Sequence, residues 1–152
     1  MQVHLIAVGR AKAGAQRALF EHFNARISPS IRLREVEEKR PLAAAELMRR
    51  EALLLLQAAP VGAYLIALDE RGKTLSSPSF AERLGELVDG GRRDIAFIIG
   101  GAHGLDESVR RAAGLCLSFG AQTWPHMLVR GLLAEQVYRA QCILSGHPYH
   151  RA

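Results

Sequence analysis

The chain has 152 residues, 49% of them hydrophobic, which is enough for one proper core and too little for two comfortable domains. Its 20 Lys and Arg against 15 Asp and Glu leave a net charge of +5, which suits a polyanionic partner without demanding one. The leucine run Leu53 to Leu56 is bounded by Glu51 and Gln57, and no apolar stretch of the chain approaches the roughly 18 residues that a membrane span needs.

The amino end, MQVHLIAVGR, has neither the basic flank nor the full apolar centre of a secretory leader, so the protein is expected to stay in the cytoplasm. Val3 to Val8 is a short apolar run ended by Gly9, a first strand. Gly14 to Arg26 carries Ala18, Leu19 and Phe23 at helical spacing, and Ser28-Pro29 ends it. Ile31, Leu33 and Val36 sit among charged neighbours and mark a second strand near a sheet edge. Pro41 to Ala59, rich in Ala, Leu and Glu, is a second helix.

Ala63 to Leu68 is apolar throughout, as a strand covered on both faces should be, and is expected to end in a charged turn from Asp69 to Lys73. Ser77-Pro78 supplies an N-cap with proline in the first turn of a third helix, which runs to about Asp89 and closes at Gly90-Gly91. Asp94 to Ile99 is a fourth strand followed by Gly100-Gly101-Ala102-His103-Gly104; Asp106 caps a short helix to Ala113, and Leu115 to Ser118 is a fifth strand. After a loop containing Gln122 to His126, an apolar helix runs from about Met127 to Ser145. Gly146 ends it as a left-handed residue and Pro148 forbids its resumption. Five strands alternating with helices make a single α/β domain over residues 1–152, its mostly parallel sheet covered on both faces.

Ligands of such sheets bind outside the carboxyl ends of the strands. Three loops sit there: Leu68-Asp69 onward, Gly100 to Gly104, and Phe119 to Pro125. Gly100 and Gly101 let a ligand approach backbone N–H and C=O groups closely, although a structural tight turn has the same sequence and no Walker lysine is present. His103 lies beside that turn; His126 either belongs to the site or fixes the loop. Cys116 and Cys142 lie in apolar surroundings without a zinc spacing, and no two histidines have ligand spacing, so no metal is assigned. In the last helix, Val129, Leu133, Val137, Ala140 and Leu144 give one apolar face, which Leu128, Leu132 and Ile143 widen, and Gly131 permits close approach of another backbone.

The order of residues from Pro125 onward, PHxLVRxxLxEQxYRAxxIxxGxPYHR, resembles the end of the ribosomal RNA large-subunit methyltransferase H family, a branch of the SPOUT methyltransferases. The resemblance extends through LIAVG, LDERGK and FIIGGAHGL to most of the chain. It implies an α/β-knot whose carboxyl-terminal segment threads as a trefoil knot, against the general rule that topologies are unknotted. It also implies S-adenosylmethionine as cofactor, held by Leu68, Gly101, Gly120, Ala121, Gln122, Thr123, Trp124 and Pro125. The implied reaction is methylation at N3 of a pseudouridine in large-subunit ribosomal RNA, within the assembled ribosome. A homodimer through the last helix follows from the same source, with Arg130, Glu135 and Arg139 bordering the interface or the RNA groove.

Tyr149, His150 and Arg151 become candidates to meet the target base and its phosphate or developing charge; composition alone would make them a frayed end. Glu135 and Arg139 are equally readable as an ordinary i, i+4 surface pair. A non-catalytic RNA- or ribosome-binding module on the same scaffold is the alternative that the basic charge fits as well. A nucleotide-binding enzyme of doubly wound type fits the alternation but lacks a phosphate motif.

Overall fold

A computed structural model describes residues 1–151. Five strands form one sheet in the order β2-β1-β4-β3-β5, every pairing parallel. They are β1 (Gln2–Val8), β2 (Arg32–Val36), β3 (Tyr64–Thr74), β4 (Asp94–Ile99) and β5 (Leu115–Ser118), connected through α1 (Ala15–Asn24), α2 (Ala44–Ala58), α3 (Ser77–Asp89) and α4 (Glu107–Ala112) and followed by α5 (His126–Ser145). The expected mostly parallel sheet is thus wholly parallel.

Alternation along each strand divides the core. Val3, Leu5 and Ala7 of β1 pack with Phe20 of α1, Phe80 and Leu84 of α3, and Leu133 and Val137 of α5. Ile6 and Val8 pack on the opposite side with Ala52 and Leu55 of α2 and Val109 of α4. Strands buried on both faces need apolar residues at successive positions, and β4 shows this from Ile95 to Ile99. β2 lies at the sheet edge, with Arg32 to Glu35 exposed, as its charged neighbours required.

Three local expectations are corrected. The stretch from Asp69 is no terminal turn: β3 continues to Thr74, and both Leu68 and Lys73 pair with Leu117 of β5, so Asp69 to Gly72 form a bulge within the strand. The chain can return because Gly72 has no Cβ; one built there would lie 2.5 Å from the carbonyl atoms of Cys116. Helix α3 is capped one residue earlier than expected, by Ser76, whose hydroxyl accepts from the Ser79 N–H at 3.2 Å, while the Ser77 hydroxyl donates to Gln136 Oε1 of α5 at 2.7 Å. Gly131 does admit a close neighbour, but that neighbour is the Leu19 side chain of α1, 2.6 Å from where a Cβ would stand, and not another backbone.

α5 packs between α1 and α3 on one face of the sheet. Its amino end reaches β1, whereas the strand before it, β5, is the opposite edge beyond β3 and β4. The linking residues 119–125 must therefore cross the carboxyl ends of β3 and β4. Gly146 ends α5 with φ +76°, and the His147 N–H returns to the Cys142 carbonyl at 2.9 Å.

Candidate active site

The crossing encloses a cavity of about 290 Å³ at the carboxyl rim of the sheet, at the lower edge of the range for small-ligand pockets. Its floor is Leu68 of β3, where the bulge begins, with Ile99 of β4 and Leu117 of β5, and its walls are the β3 bulge, the turn from Gly100 to Gly104 and the 119–125 crossing. Of the residues singled out in the sequence for a cofactor, Leu68, Gly101, Gly120, Gln122, Thr123 and Trp124 line it. Ala121 and Pro125 are exposed and are not among its lining; Pro125 instead caps α5.

Each wall is held from behind. Ser118 is buried, and its hydroxyl accepts from the Gly120 N–H at 3.1 Å and donates to the Gly120 carbonyl at 3.0 Å. That clasp, with φ +108° at Gly120, turns the chain out of β5. Trp124 covers the mouth, 40% exposed, its indole N–H donating to the Phe119 carbonyl at 3.3 Å. In the glycine turn the Gly104 N–H donates to the Gly101 carbonyl at 3.0 Å, and a Cβ on Gly100 would stand 2.7 Å from the Gly104 oxygen. The close packing at Gly100 makes that position structural as well as a wall of the cavity.

The β3 bulge carries a group that sequence reasoning missed. The Asp69 side chain is only 5% exposed and accepts from the Arg71 N–H at 2.9 Å, from Arg71 Nε at 3.1 Å and from Arg110 Nη1 at 3.5 Å. Burial alone would raise its carboxyl; the Arg71 bonds and the charges of Arg71 and Arg110 outweigh this and hold it below its ordinary value. Asp69 is thus a compensated anion that stiffens the bulge. The DxR spacing, at i and i+2, was the available signal.

Two histidines face the cavity. His103 is exposed on the glycine turn, and His126 is half-buried at the start of α5. Burial, and then the Arg130 charge, depress the His126 imidazole below its ordinary value, so at neutral pH it is uncharged. Arg130 itself is not at an interface or an RNA groove, as was expected. It is 2% exposed and donates to the carbonyls of Val8 at 3.2 Å and Gly9 at 3.0 Å and to Glu35, whose carboxylate also accepts from the Ala11 N–H at 2.7 Å. Arg130 therefore ties α5 to the carboxyl ends of β1 and β2.

The tail lies elsewhere. Tyr149 folds back on the outer side of α5, its hydroxyl donating to Glu135 Oε1 at 2.9 Å and its ring 4.8 Å from the Arg139 guanidinium and 4.7 Å from the Tyr138 ring. Arg139 pairs with Glu135 and donates to His150 Nδ1 at 3.1 Å. Burial and the Glu135 bond push the Tyr149 phenol up, so it stays protonated and serves as a donor. Glu135 and Arg139, which hold the tail, stand about 14 Å and about 20 Å along the helix from His126. Within one chain, Tyr149 and His150 thus stand far from the cavity, and Arg151 is exposed.

The chemistry open to the cavity follows from its walls. Backbone groups and apolar side chains suit a flat heterocycle and its sugar. Among the described residues no group of three or more His, Cys, Asp or Glu is placed to hold a metal ion, and no helix is long and apolar enough to cross a membrane.

A family model described as "Predicted SPOUT methyltransferase" matches residues 1–150. The chain is 59% identical over 152 residues to the protein named ribosomal RNA large subunit methyltransferase H of Rhodospirillum centenum, covering 100% of both. It is 56% identical over 151 residues to the protein of the same name from Paramagnetospirillum magneticum, covering 99% of both. Among solved structures, a probable methylase family protein of Haemophilus influenzae Rd KW20 superposes with a TM-score of 0.60 at 12% identity, over 99% of this chain and 70% of the other, a likeness of fold alone.

Proposed function

The chain belongs to the SPOUT methyltransferase family, and from that membership we propose that it is an S-adenosylmethionine-dependent enzyme that methylates N3 of a pseudouridine in large-subunit ribosomal RNA. The observation that carries the reading is the convergence of three carboxyl-end loops on one backbone-lined cavity, in a chain that matches its curated relatives from end to end. S-adenosylmethionine supplies a methyl group already activated by a sulfonium. What remains for the protein is to align donor and acceptor and to favour the charge that develops on the target nitrogen.

Leu68 and Gly101 offer backbone to the cofactor; Gln122, Thr123 and Trp124 close over it, and Leu117, Phe119 and Val129 exclude water. His126, uncharged, adds no positive charge to repel a cationic ligand. Tyr149, His150 and Arg151 act on the RNA, Tyr149 as a hydrogen-bond donor and Arg151 toward phosphate or the developing charge. Their distance from the cavity within one chain favours a homodimer packed through α5, in which the tail of one protomer serves the cavity of its partner. The threaded carboxyl-terminal segment, the ribosomal context and a cytoplasmic location belong to the same reading.

A methyl-transfer assay on intact ribosomes, separated subunits and extracted RNA tests it, with the modified nucleoside identified by mass. The expected product is N3-methylpseudouridine from ribosomes, with far less from naked RNA. Methylation of a different nucleoside, or of none of the three substrates, overturns the assignment.

A further inference from the structure

Behind the glycine turn lies a buried carboxyl that nothing above employs. Glu51, on α2, is 7% exposed, and its Oε1 is wholly buried with no hydrogen-bond partner among the described residues. A Cβ built on Gly101 would stand 3.0 Å from Glu51 Oε2 and 3.4 Å from Oε1. The carboxyl therefore presses on the Cα of a residue that lines the cavity.

Buried carboxylates are ordinarily paired. The neighbouring Arg50 is taken by Glu38 at 3.3 Å, and the side of the sheet that α2 covers presents Ile6, Val8 and Ile98. Burial raises the Glu51 carboxyl, and only the His103 charge opposes it. Asp69, on the opposite wall, shows how the same fold treats an anion that serves only structure: two arginines enclose it. Glu51 has no such partner, and it lies directly behind a residue that lines the cavity.

We propose that Glu51 makes the cavity selective for charge, its carboxylate favouring the cationic sulfonium of S-adenosylmethionine over the neutral thioether of S-adenosylhomocysteine. The inference rests on the cofactor reading given above. In the transfer the sulfur–methyl bond breaks as the nitrogen–methyl bond forms, its electron pair stays on sulfur, and the proton of the target N–H passes to solvent. The positive charge facing Glu51 disappears with turnover. Attraction to the ligand falls at that moment, which retains the substrate form and eases release of the product.

A ligand resting on Gly101 would face the carboxylate across that residue, where at a surface-like dielectric the attraction is worth about tenfold in affinity once solvent screening is allowed for. The test is calorimetric titration of the full chain with S-adenosylmethionine and with S-adenosylhomocysteine, for the native protein, Glu51→Gln and Glu51→Asp. Glu51→Gln should weaken the first ligand roughly five- to tenfold and the second less than twofold. Glu51→Asp, which withdraws the charge by one methylene, should keep an intermediate preference, and it preserves the test should the glutamine variant not fold. Equal weakening of both ligands, or unchanged affinity for both, overturns the inference while leaving the cofactor reading standing. If the native chain binds neither ligand, the cofactor reading falls and the inference with it.

Discussion

The two ends of α5 serve the protein in opposite ways. At the amino end, the cavity walls are loops whose backbone is fixed by the bonds of Ser118, Asp69 and the buried Arg130. Along the carboxyl half, the candidate RNA-facing groups are side chains, Tyr149 and His150, held by a partly exposed network on Glu135 and Arg139. Backbone locked by buried bonds is ready before a ligand arrives. Side chains joined by partly solvated pairs are held by about 1 kcal/mol or less each and can be drawn to a second binding partner. On the proposed roles, the difference sets a cofactor pocket held by buried bonds against an RNA-facing tail held by partly solvated ones, the second along the carboxyl half of the same helix.

The comparison breaks first at Arg130. Arg130→Met removes the partner of Glu35 and strands the Val8 and Gly9 carbonyls, which should cost about 3–5 kcal/mol and lower the melting midpoint by roughly 10 °C; a midpoint within 2 °C or so of the native one would mean that the rim is not held from behind. Gly101→Val comes next. Its new Cβ meets Glu51 Oε2 at 3.0 Å and Val8 Cγ1 at 3.1 Å, which pushes the glycine turn toward the cavity it lines, so calorimetry should show cofactor affinity reduced about a hundredfold, or near 3 kcal/mol.

Deleting Tyr149 to Ala152 sharpens the other half of the comparison. Methylation should fall by at least about tenfold while cofactor affinity stays native, and the loss of the Tyr149–Glu135 bond should cost only about 1 kcal/mol of stability. Full activity without these residues would reduce the tail to a helix cap. The smallest effect concerns Glu51→Gln, read as thermal stability against pH. A raised carboxyl binds more protons folded than unfolded, so the native chain loses stability as pH climbs from the ordinary carboxylate range toward the raised value, and then levels off. The variant should match it near pH 4 and exceed it by about 1 kcal/mol near pH 8. Parallel curves would mean that Glu51 is paired in solution.

Sequence patterns served best where a residue's role is local. The β4 run from Asp94 to Ile99, the Asp106 cap and the Gly146 terminus are as read, because apolar continuity, a side-chain acceptor and a left-handed glycine act within a few residues of themselves. The bulge at Asp69 was misread as a turn because its cause lies 44 residues away, in the Cys116 backbone that Gly72 alone can approach. Arg130, which the family resemblance set beside an interface or an RNA groove, is buried because the ends of β1 and β2 supply its acceptors.

By itself, the amino-acid order determined an α/β chain with glycine-bearing loops at the carboxyl ends of its strands, since turns, caps and strand patterning are set by neighbouring residues. Only the tertiary structure decided that the loops meet in one cavity, that the tail rests about 14 to 20 Å away along α5, and that Glu51 lies unpaired behind Gly101. Those facts depend on which distant atoms share a space, and a carboxylate's partner, or its lack of one, exists only once the chain has closed around it.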